Sequence, residues 1–161
     1  MTPIAKKKIA IVVALCAVAF CTVVLLVRAE VKNTFQHIAT VSNLGDVREA
    51  FDAFQEIHGR WPISMDEVYG DKYLLEGTLT PEHCRDAFAR APFRCVTGEN
   101  VYRQIESEYL RQVLVMSPKS FNDASWPKSK LRIYVLDSLG GISKISPSEL
   151  QYEPLHINKA H

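Results

Sequence analysis

The longest apolar run comes first. Ile9 to Val27 is nineteen residues without a charge, and Thr22 is its only hydroxyl-bearing member. At ~1.5 Å per residue the run approaches the ~30 Å of bilayer hydrocarbon. A buried helix of a soluble protein keeps a polar side, and this run has none. The pattern predicts a transmembrane helix over 9–27. Beyond it Val31, Phe35, Ile38 and Val41 recur at helical spacing, which predicts an amphipathic stem over 28–42.

A second helical stripe, Leu44, Val47, Phe51, Phe54 and Ile57, alternates with Asp46, Glu49, Asp52 and Glu56. Ser42 or Asn43 offers a cap for it, and Leu44-Gly45 marks an expected local break. Gly59 stands where a helix C-terminus wants a left-handed residue, and Pro62 forbids simple continuation. Residues 60–100 read as connections with two short helical starts, Ser64-Met65-Asp66-Glu67 and Thr80-Pro81-Glu82.

From residue 101 the period changes. Val101 to Ile105 is ambiguous, while Gln112 to Met116 reads as a strand and Leu131 to Leu136 alternates as a half-buried one. Gly140-Gly141 turns the chain back into Ile142-Ser143-Lys144-Ile145 as hairpin partner. Ser117 to Lys130 reads as a polar loop. Ser146-Pro147-Ser148-Glu149-Leu150 caps a last short helix, and the chain from Gln151 reads as a loose tail. The expected fold class is therefore α+β, a long helix packed on a small antiparallel sheet. The expected divisions are a basic head 1–8, a membrane helix 9–27, a stem 28–42, a globular domain 43–150 and a tail 151–161.

Charge sets an orientation. Residues 1–28 hold Lys6, Lys7, Lys8 and Arg28 and no acid, whereas the rest holds fifteen Lys/Arg against eighteen Asp/Glu. The basic head favours a cytoplasmic N-terminus and a domain on the far side of the membrane. A cleavable signal has an apolar core of ~7–15 residues and a small-x-small site. This run is longer, and Leu25 to Glu30 makes a poor site, so the helix reads as a retained signal-anchor. Phe20 before Cys21 argues against lipid attachment. The mildly acidic remainder lacks the basic patch that nucleic acid demands, so no nucleic-acid partner is expected.

Candidate chemistry is sparse. Cys84 and Cys95 lie outside the membrane run and are disulfide candidates. Closing a loop of about a dozen residues would stabilise by ~3 kcal/mol in the chain-entropy model; two buried thiols are the other reading. His83 with Cys84 and Cys95 is too few ligands for zinc. No Ser or Cys stands in a nucleophile elbow, so neither an enzyme nor a cofactor is expected. Trp61 reads first as a ring folded over the helix end. Trp61, Phe121 and Trp126 are nevertheless the candidate partner contacts, the last two because they are rings in a polar loop.

The segment Ala50-Phe51-Asp52-Ala53-Phe54-Gln55-Glu56-Ile57-His58-Gly59-Arg60-Trp61-Pro62-Ile63-Ser64-Met65-Asp66-Glu67 resembles the end of the first helix in type IV pilins and type II secretion pseudopilins. Ile133 to Gly141 is similar to that family's closing strand and turn. The resemblance implies a structural or assembly role in the bacterial inner membrane, with other membrane or pilin-like subunits, or further copies of the chain, as partners. Two features depart from the family. No Gly precedes Gly45 and no acid precedes Glu30, so the usual processing site and the fifth-position Glu are missing. Asp137, Ser138 and Ser143 are too few oxygen ligands for the calcium loop of the major pseudopilin. The alternative is a tethered module that binds a peptide or small ligand on the sheet or in the Ser117–Lys130 loop.

Overall fold

The structure, a computed structural model, describes residues 3–70, 79–81, 84–106, 109–123 and 130–152. The chain divides into two compact units, Met1–Gln36 and His37–His161. Helix α1, Pro3–His58, runs through the boundary without interruption.

In the first unit α1 is apolar and uncovered. Leu15, Phe20 and Leu26 are 64%, 70% and 65% exposed, and α1 contains a stretch long and apolar enough to cross a membrane. The hydroxyls of Thr22 and Thr34 bond back to Val18 O at 2.9 Å and Glu30 O at 3.0 Å, so neither is left wanting.

In the second unit α1 buries Leu44, Val47, Phe51 and Phe54 of the stripe read from the sequence, with Ala50 beside them, whereas Ile57, the last member of that stripe, is 46% exposed. The expected break at Leu44-Gly45 does not occur. An interior glycine costs a helix about 1 kcal/mol, but Leu44 and Val47 are both fully buried on either side of Gly45 and hold the turn closed. The helix ends as expected: Gly59 takes φ 69° and its N–H donates to Gln55 O at 2.8 Å.

The short helical start at Ser64 becomes α2, Met65–Gly70. Ser64 Oγ accepts the Glu67 N–H at 3.4 Å, while the Glu67 carboxylate accepts from Ile63 N at 3.0 Å. Arg60 clamps the same carboxylate with both terminal nitrogens, at 3.0 and 3.2 Å. The connection that follows holds a small hairpin, β1 (Arg85–Asp86) with β2 (Ala91–Pro92), and a short strand β3 (Arg94–Cys95).

The sheet is antiparallel throughout. It comprises β3 together with β4 (Val101–Glu106), β5 (Tyr109–Met116), β6 (Phe121–Asp123), β7 (Lys130–Asp137), β8 (Ile142–Ile145) and β9 (Leu150–Tyr152). β7 pairs β8, β5 and β6, β5 pairs β4 and β3, and β4 pairs β9. Three of these strands correct the sequence reading. The ambiguous 101–105 run is β4; the polar loop contains β6, whose Phe121 and Asp123 are buried; and the start of the expected tail is β9. The predicted final turn is the 3-10 segment Pro147–Glu149, closed by a capping box between Ser146 and Glu149.

β9 follows β8 through that turn, yet pairs with β4 at the other end of the strand order. In a flat sheet those two strands would lie about 19 Å apart, four spacings of ~4.8 Å. Five residues cover at most about 17 Å fully extended, and a 3-10 turn covers much less. The sheet must therefore curl.

Curling makes two cores from one sheet. Leu114, Val115, Tyr134 and Leu136 pack with the α1 stripe, together with Met65, Val68, Cys84, Phe93 and Phe121. Val96, Val101, Val113, Met116, Ile133, Val135 and Ile145 form a second cluster, with Leu150 against it. Strict alternation would put Val113 and Val115 on one side. A register shift between them lets Leu114 and Val115 both join the helix-side core.

Candidate functional site

The face of α1 that buries Leu44, Val47, Phe51 and Phe54 extends backwards, three and four residues at a time, to Thr40 and His37. Two polar residues thus occupy positions that an apolar helix face would give to the core, and each is held by a specific partner. Thr40, fully buried, accepts the Ala87 N–H at 3.1 Å. One turn on, Asn43 donates from its amide to Arg85 O at 2.7 Å.

His37 has the most elaborate surroundings. Its ring lies 4.6 Å from Phe88, 5.7 Å from Phe121 and 5.8 Å from Tyr134, centroid to centroid. Phe88 and Phe121 stack at 4.1 Å, and Phe121 stacks on Tyr134 at 5.5 Å. His37 Nδ1 makes a short hydrogen bond with the Tyr134 hydroxyl. Nε2 stands 3.8 Å from Asp123 Oδ1, and Asp123 Oδ2 receives the Lys144 ammonium at 2.5 Å. The His37 side chain is 20% exposed and that of Asp123 7%.

The local folds explain this meeting. Asp86 Oδ1 accepts the Phe88 and Ala89 N–H groups at 2.7 and 3.2 Å, fixing the turn that delivers Phe88. Its buried Oδ2 has no hydrogen-bond partner among the described residues. β6 places Phe121 and Asp123 on one side by strand alternation. Ser117 holds Tyr134 from the end of β5, donating its N–H to Tyr134 O at 2.9 Å and accepting the Tyr134 N–H on Oγ at 3.0 Å.

Burial and the neighbouring Lys144 ammonium keep His37 below its ordinary value, with Asp123 opposing them. Burial, then the carboxylates of Asp123 and Asp86, push the Tyr134 hydroxyl up to about 12. The phenol is thus held as a donor and is poorly suited to act as a nucleophile. The chemistry open to the cluster is reversible proton uptake at His37.

A second polar centre closes the β7–β8 turn. Asp137 is fully buried, and its Oδ1 accepts the N–H groups of Leu139 at 3.0 Å and Gly141 at 2.9 Å. Its Oδ2 receives Arg103 at 2.5 Å, with Arg111 at 3.7 Å. Arg103 and Arg111 stand directly opposite each other on β4 and β5, a like-charge pair that the buried carboxylate offsets. Gly140 takes φ 75° beneath the Arg48 side chain, where a β-carbon would come within 2.5 Å of the guanidinium.

The residues singled out from sequence scatter. Cys84 and Cys95 are free thiols, not a disulfide. Cys84 is sealed in the helix-side core, where burial pushes its thiol up to about 11. Cys95 on β3 instead turns its thiol to Pro62 O at 3.4 Å and Thr97 Oγ1 at 3.5 Å. Trp61 is half-buried against the helix-side core. Phe121 is 9% exposed, a ring of the core cluster and not a surface contact. Trp126 and His83 lie outside the described residues. No family model, curated protein or solved structure matches this chain.

Proposed function

We propose that this chain is a single-pass protein of the bacterial inner membrane that works as a pilin-like structural or assembly subunit. In this reading its N-terminus is cytoplasmic and its α+β domain lies outside. One observation carries it: a single unbroken helix, α1, supplies both an uncovered apolar stretch long enough for a bilayer and the stripe on which the sheet packs. The basic head and the Gly59-Arg60-Trp61-Pro62 exit support it.

Fractionation with intact-mass measurement tests it. The expected result is a full-length chain that resists alkaline extraction and is digested by protease only after the outer barrier is opened. A soluble product starting beyond Ala29 overturns the anchor. Oxidative crosslinking at Cys16 and Cys21 tests self-association, and absence of crosslinked species in membranes counts against the assembly role.

A tethered binding module is the second reading. A shallow depression between the start of β7 and the 3-10 turn favours it, lined by Lys130, Leu131, Arg132, Ser146 and Glu149. If that is the working surface, Arg132→Ala abolishes recovery of a bound peptide or small molecule and leaves membrane crosslinking intact.

A further inference from the structure

Within the second unit, α1 meets the rest of the domain in two ways. From Leu44 onward the contact is apolar and deep. From His37 to Asn43, among the described residues, it is made by three polar ties, His37 to Tyr134 and Asp123, Thr40 to Ala87, and Asn43 to Arg85, and by the His37 ring against Phe88 and Phe121. The side chains of Ile38 and Val41 on this segment are 60% and 42% exposed and add little burial. Of the three ties, only His37 changes charge near neutral pH.

We propose that His37 is a proton-operated latch: neutral, it fastens residues 37–43 of α1 to the sheet, and on protonation it releases them. The partners assign the neutral tautomer. Nε2–H faces the Asp123 carboxylate, and Nδ1 accepts the Tyr134 O–H. Adding a proton at Nδ1 puts two hydrogens on the line between ring and phenol, so the Tyr134 hydroxyl must turn away and loses its acceptor. The phenol does not give up its proton in compensation, because its surroundings oppose the phenolate.

The new charge also meets Lys144, reaching in from β8 and already neutralising Asp123 of β6. Among the described residues, four elements bring side chains to His37. β7 brings Tyr134, β6 brings Asp123, β8 brings Lys144, and the β1–β2 turn brings Phe88 with the buried Asp86 behind it. Among the described residues two carboxylates and one ammonium share the neighbourhood, and of these Asp123 lies within ion-pair distance of the ring. An imidazolium among three aromatic rings is accordingly disfavoured while the latch stays closed.

Hydrogen exchange on the full chain in lipid nanodiscs tests the latch, at about pH 7.5 and about pH 5, corrected for intrinsic rates. Amides of residues 37–43 and 86–90 are expected to exchange severalfold faster at the lower pH, because the closed form binds the His37 proton more weakly than the open one, while strand amides 113–116 hold their rates. His37→Gln keeps a neutral hydrogen-bonding group and should flatten the response. Should that variant fold poorly, Lys144→Met provides the independent arm. With the repelling ammonium gone, the His37 ring resonance should titrate at higher pH and opening should follow it. A wild-type protein with equal exchange at both pH values, a His37→Gln chain with an undiminished response, or a Lys144→Met chain with an unmoved midpoint each overturns the proposal.

Discussion

Asp137 shows how one side chain holds a turn. It satisfies two backbone N–H groups of its own loop and anchors Arg103 from another strand, all while fully buried. Removing one partner of a buried ion pair strands the other, at ~3–5 kcal/mol. Asp137→Ala should therefore cost that much unfolding free energy, read as a lowered denaturation midpoint. Asp137→Asn, which can still accept from Leu139 and Gly141, should cost less. His37 sets a pH dependence of the same sign as a carboxylate held below its ordinary value. Its folded-state value lies below the ordinary 6.5, so the unfolded chain binds the extra proton more readily. Its stabilising contribution is whole above that value and declines as pH falls below it. Thermal melts from about pH 7.5 to about pH 5 should show this decline, and His37→Gln should remove that part of it. These residues were poorly legible in the sequence for a physical reason. His37 and Thr40 sit on the core face of α1 seven and four residues before Leu44, but a hydrophobicity pattern counts polar residues as solvent-facing. Extending the Leu44–Phe54 face backwards by the same three-and-four spacing is the signal that finds them.

At the scale of elements, α1 was the most legible part of the chain. Its apolar run, its core stripe and its Gly59 stop each follow from spacing or from one residue's backbone preference. The break at Gly45 misled, because local propensity yielded to the burial of Leu44 and Val47, and so did Ile57, which stays 46% exposed at the end of the stripe. The β7–β8 hairpin was equally clear from alternation and Gly140-Gly141. β6 and β9 were not: three residues are too few to show a period, and their polar neighbours disguised them. The core stripe supports a direct test. Phe51 is fully buried between helix and sheet, and Phe51→Ala should cost ~3–5 kcal/mol. Phe35, 67% exposed on the same helix, is the contrast: Phe35→Ala should leave the domain's unfolding midpoint within ~0.5 kcal/mol.

At the scale of the molecule, the curl of the sheet depends on its last short strand. β9 pairs Leu150, Gln151 and Tyr152 with Arg103, Tyr102 and Val101, and Leu150 lies against the second core. Ending the chain after Ile145 removes that cover and the capped turn leading to it. Such a chain should lose cooperative unfolding and bind an apolar dye, the marks of a core without fixed packing. The class of fold was evident from the order of periods along the chain, helical first and alternating later. The second core was not, because closure depends on which distant strands meet, and neighbouring residues carry no record of that.

The placement of the helix-side core also bears on biogenesis. Phe51 emerges from the ribosome 63 residues before Leu114, one of the residues that shares its core. At ~5–20 residues per second, the stripe on α1 waits about 3–13 s for its partner strand. The strand that closes the sheet is made later still. A nascent chain of this protein therefore carries an uncovered apolar helix face until its sheet is made, and is open to aggregation for that interval.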